Sequence, residues 1–416
     1  MAGHASVRRR TARGALAALV AGLCLTVGAP AVAVAQVWIP TWLASPMPWR
    51  NETAANGAPP LLADVTLRQD LLMASAATAV RVRFSNELGD EPLVIGRAQA
   101  GLRGEAAQPL RFDGAVRVVV PPGGFVLSDP LAIVIPAYAE LTVSAYLPEE
   151  TRPAVRLGPV RIASGDRAAA DDAPLLRGQG VVSAVLAERP TAPAAVIVAL
   201  GDSITEGGST PLGAHRAWPH QLGRRLEANC PGAFVVLNAG IGGNMVISDC
   251  RSPSLVSRLE RDVLAMPGVT HVVLMAGLND VRQKGAARDR PGAGVAEVAA
   301  GYRHAAQALQ SRRIKVVGGV LTPILAAPVA EPAIPGPTTD DKRRSLNALI
   351  RQGDLFDGVI DFEAALDDPI RPGRIRPGAH REDGYHPNDE GHRLMAEAID
   401  ADVFAPDPDP CSPSRP

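Results

Sequence analysis

Five apolar runs in the second half of the chain, at residues 194–200, 234–237, His271–Met275, 316–321 and 359–360, constrain the fold more than anything else in the sequence. They are too short for amphipathic helices and too continuous for strands with one wet face, so they read as parallel strands buried on both sides. Stretches with helical character lie between and after them, near 218–227, 254–264, 295–312, 342–350 and 388–399. Strand alternating with helix predicts a doubly wound α/β domain, a parallel sheet between two helix layers, over residues 191–405. In such a domain the working site lies at the carboxyl ends of the strands.

The first half has a different rhythm. Val80-Arg81-Val82-Arg83-Phe84 alternates apolar with charged, and Leu141-Thr142-Val143-Ser144-Ala145-Tyr146-Leu147 alternates apolar with polar. Between them lie the runs Leu93–Ile95, 116–120 and Leu131–Ile135, punctuated by Asn86, Gly89-Asp90, Pro121-Pro122-Gly123-Gly124 and Asp129-Pro130. Short strands with such turns predict an antiparallel β-sandwich or jelly roll over 36–190. The chain of 416 residues has the length for two such domains.

Ahead of both, Arg8-Arg9-Arg10 precedes an apolar stretch at 14–27, and Ala33-Val34-Ala35 offers a small-x-small cleavage site. Residues 1–35 therefore read as an export signal, cleaved after Ala35 and placing the protein in the periplasm or outside the cell. The stretch is interrupted by Gly28 and Pro30 and is short for a membrane span, the alternative reading. Leu23 before Cys24 does not suit lipoprotein processing, and the arginine run leaves Sec and twin-arginine export both open. In an oxidising compartment a Cys230–Cys250 disulfide is expected, with two unpaired thiols as the alternative. Cys411, in the Pro-rich tail 406–416, is left as an odd thiol. A net charge of −1 argues against nucleic acid and anionic membranes as partners. No Cys or His cluster has zinc spacing, so no metal or cofactor is expected.

Four motifs sit where strands should end or helices begin. Ser203 follows the first parallel run within Gly201-Asp202-Ser203-Ile204-Thr205. A sharp exit at Gly201 would expose its hydroxyl and N–H, although the same pattern suits a helix cap or a phosphate turn. Thr205 separates it from the Gly-x-Ser-x-Gly elbow. The glycines of Asn238-Ala239-Gly240-Ile241-Gly242-Gly243-Asn244 let the backbone approach a substrate oxygen, with the Gly243 N–H as donor, or else form a plain turn. Asn279, in Gly277-Leu278-Asn279-Asp280, brings a side-chain N–H₂ to the same edge, while Asp280 is expected to brace the loop. Asp383 and His386 stand three residues apart before Pro387, a spacing at which the carboxylate can hold Nδ1–H while Nε2 faces a serine. His215, His220, His271, His304, His380 and His392 show no such partner and read as structural or surface residues; His4 goes with the leader. Together the motifs contain a nucleophile, a base, its orienter and oxyanion donors, the parts of serine-based acyl transfer.

As a set, the blocks at 201–205, 238–244, 277–280 and 383–387 resemble those of the SGNH (GDSL) hydrolase superfamily. The resemblance implies a flavodoxin-like three-layer domain, Ser203 as nucleophile, His386 as base and Asp383 as its orienter. It also implies an oxyanion hole made by the N–H groups of Ser203 and Gly243 and the side chain of Asn279. Trp38-Ile39-Pro40-Thr41-Trp42-Leu43-Ala44-Ser45-Pro46, Thr66-Leu67-Arg68-Gln69 and Val80–Asn86 are similar to a secreted bacterial subgroup with an N-terminal β-sandwich, including acetylxylan-esterase-like and arylesterase-like members. The expected activity is hydrolysis of short-chain acyl esters, with O-acetylated carbohydrate as the leading substrate. Acyl transfer to a sugar hydroxyl, an arylesterase or lipase-like activity, and an inert polysaccharide-binding protein are the alternatives. The Pro- and Ala-rich loop at 323–339 is expected near the site as a lid or wall, with few aromatics for stacking on sugars.

Overall fold

The computed structural model describes residues 1–4, 36–50, 62–167, 173–282, 291–324 and 336–404. Nearly all of the expected leader, with Cys24, most of the 323–339 loop, and the tail with Cys411 lie outside the described residues. From Gln36 onward the chain forms one compact unit. Among the described residues no helix is long and apolar enough to cross a membrane.

The second half contains a five-stranded sheet ordered Phe234–Gly240, Ala195–Gly201, His271–Met275, Lys315–Gly319, Gly358–Ile360. Every neighbouring pair is parallel. This is the flavodoxin-like order 2-1-3-4-5. Ala195–Gly201 is flanked on both edges and covered on both faces, so all seven of its residues are buried. That is why its sequence is apolar without alternation. The helices Trp218–Asn229, Val295–Ser311, Thr339–Arg351 and Asp389–Glu397 match the expected positions. The helix expected near 254–264 is instead a short α-helix, Leu255–Leu259, running into a π turn at Glu260–Leu264.

The first half is an antiparallel sandwich of two main sheets. One orders Val37–Leu43, Val182–Arg189, Ala77–Ser85 and Phe125–Leu127, with Leu131–Ile135 also paired to Ala77–Ser85. The other orders Leu175–Gln179, Leu157–Ser164, Val65–Leu72, Glu140–Leu147, Arg97–Leu102 and Gln108–Leu110. The alternation read from the sequence places Val80, Val82, Phe84, Leu141, Val143 and Ala145 in the sandwich core. Arg83, a charged residue of that alternation, is also buried: its guanidinium donates to Ser183 Oγ, pairs with Glu87 at 2.9 Å and lies 3.8 Å above the Phe125 ring.

The antiparallel strands end at Arg189 and the parallel sheet begins at Ala195. The two halves interlock. Ile39, Leu43, Ala74 and Ala184 of the sandwich belong to the apolar core of the α/β half. His215 Nε2 reaches Glu140 Oε1 at 3.0 Å across the same boundary.

The expected Cys230–Cys250 disulfide is not formed. Cys250 is a free, exposed thiol, whereas Cys230 is disulfide-bonded. Cys230 caps the helix Trp218–Asn229 just before the strand Phe234–Gly240, and Cys250 follows that strand at its far end. Seven strand residues carry the chain roughly 20 Å, far beyond the ~7 Å that a disulfide can span between Cα atoms.

Candidate active site

All four motifs line one open cleft of about 600 Å³ at the carboxyl edge of the parallel sheet. Ser203 opens a single helical turn, Ser203–Glu206, directly after the strand Ala195–Gly201. Asp202 caps that turn by accepting from the Ile204 N–H at 3.0 Å. Gly201 is required by close packing rather than by its dihedral: a Cβ there would lie 2.2 Å from Thr205 Oγ1 and 2.5 Å from the Met275 carbonyl.

The glycine loop after Phe234–Gly240 is held against this turn. Asn238 Nδ2 donates to the Thr205 carbonyl at 2.8 Å, and its Oδ1 accepts from the Gly240 N–H at 2.9 Å. Gly243 has φ of 74°, a left-handed conformation that favours glycine. Asp280 braces the loop as expected, its carboxylate accepting from the Val246 and Ile247 N–H groups. Asn279 Nδ2 donates to the Asn244 carbonyl at 3.0 Å and lies 3.4 Å from Asp202 Oδ2.

Ser203 Oγ lies 2.9 Å from His386 Nε2, and His386 Nδ1 lies 2.7 Å from Asp383 Oδ2. The other oxygen of Asp383 accepts from the backbone N–H groups of Tyr385 and His386. Burial pushes the Asp383 carboxyl up, but these two N–H donors and the His386 ring outweigh it and hold it below the ordinary aspartate value. The carboxylate is thus ionised wherever the neutral ring needs an acceptor. Pro387 precedes the next helix, Asp389–Glu397, which is capped by Asn388, its side chain accepting from the Glu390 and Gly391 N–H groups.

Three residues escaped the sequence reading. Arg258 is fully buried beneath the cleft and donates to the Gly201 and Ala239 carbonyls, to Asn244 Oδ1, to Ser45 Oγ and to Asp262. It ties the ends of two parallel strands, the glycine loop and the sandwich to one cation. Arg177, from the sandwich strand Leu175–Gln179, reaches the cleft and pairs with Glu206 at 2.9 Å. Glu206 lies one turn beyond the serine, so the pair is a direct bond between the sandwich and the serine turn.

Two buried groups link the site to pH. Burial raises the Asp202 carboxyl to about 7, with the charges of Asp280 and Glu206 adding to the shift. The stability held by its protonated form is present below its ordinary range and lost as pH rises through about 7. His392 accepts from the Trp218 N–H through Nδ1, and its Nε2 lies 3.2 Å from Ser209 Oγ. Burial, with a smaller contribution from His386, depresses it to about 3. Its neutral form supports the fold above pH ~6.5, and that support falls by about 1.4 kcal/mol per unit as pH drops toward the folded value. Urea midpoints measured at pH 7.5 and 5.5 are expected to show a smaller acid loss in His392→Asn than in the parent protein. Equal losses would remove His392 from the account.

The fold and the four motifs at one sheet edge define a carboxylic ester hydrolase of the SGNH type. Residues 199–394 match the GDSL-like lipase/acylhydrolase family, and the chain carries a domain of that family. Solved structures similar to part of this chain include a GDSL-like lipase from Bacteroides thetaiotaomicron, 20% identical with a TM-score of 0.37, covering 50% of this chain and 88% of its own. An acetyl xylan esterase is 24% identical with a TM-score of 0.38, covering 49% of this chain and 96% of its own. A catalytic variant of an acetylxylan esterase from Geobacillus stearothermophilus is 22% identical with a TM-score of 0.38, covering 50% and 93%. No protein of curated function matches the chain significantly.

Proposed function

We propose that the protein is an exported serine esterase that removes short acyl groups, O-acetyl on carbohydrate foremost, through Ser203, His386 and Asp383. The observation that carries this reading is the continuous line from Ser203 Oγ to His386 Nε2 at 2.9 Å and from His386 Nδ1 to Asp383 Oδ2 at 2.7 Å. Ser203 Oγ attacks the ester carbonyl as His386 Nε2 takes its proton, and Asp383 stabilises the imidazolium that forms. Collapse of the tetrahedral intermediate returns that proton to the leaving alcohol and leaves an acyl-enzyme. Water, deprotonated by the same ring, then releases the acid.

The N–H groups of Ser203 and Gly243 are the oxyanion donors in this reading. Asn279 completes the set, the oxyanion replacing its long 3.4 Å contact with Asp202. A short acyl group is favoured because Met245 is the one aliphatic side chain larger than alanine among the described residues lining the cleft. Export rests on the basic and apolar leader with its Ala33-Val34-Ala35 site.

A fluorophosphonate probe incubated with the purified protein is expected to label one serine, identified as Ser203 by peptide mass. Absence of labelling on folded protein would leave an inert binding domain as the better account.

A further inference from the structure

The cleft around Ser203 is charged in one sense. Four arginines line it, Arg177, Arg251, Arg282 and Arg381, while the carboxylates among its described lining residues are Glu206 and Asp383. Both carboxylates are committed, Glu206 to Arg177 and Asp383 to His386. The chain as a whole has a net charge of −1, so the positive excess belongs to the cleft and not to the protein.

Two of these cations have no acidic partner among the described residues. The Arg282 guanidinium lies 5.4 Å from the centre of the Tyr385 ring, and that ring lies 4.2 Å from the ring of His386. Arg381 donates Nη1 to the Ser209 carbonyl at 3.0 Å. Arg177 gives Nη2 to Glu206. An arginine has five N–H donors in a planar fork, so each of the three keeps donors for a further acceptor. Gly208 keeps the floor open: a Cβ there would lie 2.6 Å from Arg177 Nη2 and 2.9 Å from Glu206 Oε2. Planar forks around a nucleophile are the arrangement that recognises carboxylate and phosphate oxygens.

We infer that the preferred esters carry an anionic group, a carboxylate or a phosphate, on the alcohol side of the scissile bond, received by Arg177, Arg282 and Arg381. The inference rests on the reading of Ser203 as nucleophile and names the substrate class of that same site. The alcohol side follows from the cleft: a short acyl group fills little of its 600 Å³, so the charged remainder receives the alcohol. The sandwich, through Arg177, then takes part in choosing the substrate.

The test compares kcat/KM for 4-acetoxyphenylacetate with that for its neutral methyl ester, in which a methylene insulates the scissile ester from the charge. A second arm compares 4-acetoxyphenyl phosphate with phenyl acetate, separating phosphate from carboxylate recognition. At low salt one anionic ester is expected to be favoured at least about ten-fold, the preference shrinking toward unity in 1 M NaCl as exposed charges are screened. In R282Q/R381Q the ratio is expected to fall at least about five-fold. Cations that served the oxyanion alone would speed charged and neutral esters alike and leave the ratio at one. Ratios near one in both arms, or a preference indifferent to salt and to the double substitution, overturn the inference. Hydrolysis of the neutral esters at a ratio of one would reject the anion assignment and leave the esterase intact. Loss of all hydrolysis together with fluorophosphonate labelling would reject both.

Discussion

Ser203→Ala is expected to lower kcat/KM for p-nitrophenyl acetate by at least about 10⁴-fold while the urea midpoint stays within the range of an ordinary surface change, about 0.5 kcal/mol. The hydroxyl is half-exposed and lies 2.9 Å from His386 Nε2. Removing it leaves no buried group unsatisfied. The oxyanion donors survive, so a small rate above background remains, and His386→Ala is expected to fall to a similar level because the two act as one unit. A Ser203→Ala protein that keeps most of its activity would end the covalent mechanism, provided the circular dichroism spectrum matches the parent.

The second large effect lies beneath the cleft. Asp262→Asn is expected to destabilise the fold by about 3–5 kcal/mol, the usual consequence of leaving a buried cation without its counter-ion. Asp262 accepts from Arg258 at 2.8 Å and from Arg261 at 2.7 Å, and both Arg258 and Asp262 are nearly inaccessible to solvent. Burial alone would raise the Asp262 carboxyl, yet the two guanidinium groups hold it below its ordinary value. Its contribution is therefore present above the ordinary aspartate range and lost as pH falls through the folded value. Replacing both partners, as in R258M/D262L, is expected to recover much of the stability, since apolar side chains of similar volume need no counter-ion. Activity is expected to stay low in that double variant, because Asn244 and the carbonyls of Gly201 and Ala239 lose the cation that positions them. A single variant as stable as the parent, or a double variant with full kcat, would show that Arg258 does not organise the site.

Much of the fold was legible because burial on both faces leaves a plain mark in sequence. The run at 194–200 has no polar residue because the strand it predicts has no wet face. The helical period marked the longer helices for the converse reason, each having one face to bury and one to hydrate. The single turns Ser203–Glu206 and Leu278–Val281 carry no period, being shorter than the repeat that would reveal them. Asp383 and His386 could be paired from sequence because both ends of their bond lie within one turn. The Cys230–Cys250 pairing, expected from the oxidising compartment, is not made because a strand lies between the two and carries the chain across the sheet.

Arg258 and Arg177 were invisible for a different reason. The partners of Arg258 lie 57 residues away at Gly201 and 213 away at Ser45, and Arg177 meets Glu206 across the boundary between sandwich and α/β half. In sequence each is one arginine among many, with nothing to separate a buried hub from a solvated side chain. From local pattern came the parallel sheet and the edge on which the motifs lie, since periodicity and turn geometry are properties of neighbouring residues; the roles proposed for Ser203, His386 and Asp383 came from the resemblance of those motifs, taken as a set, to a known family. Only the tertiary structure decided which charges are buried, what neutralises them and which wall closes the cleft, because Coulomb energy and desolvation depend on distance in space and are blind to distance along the chain.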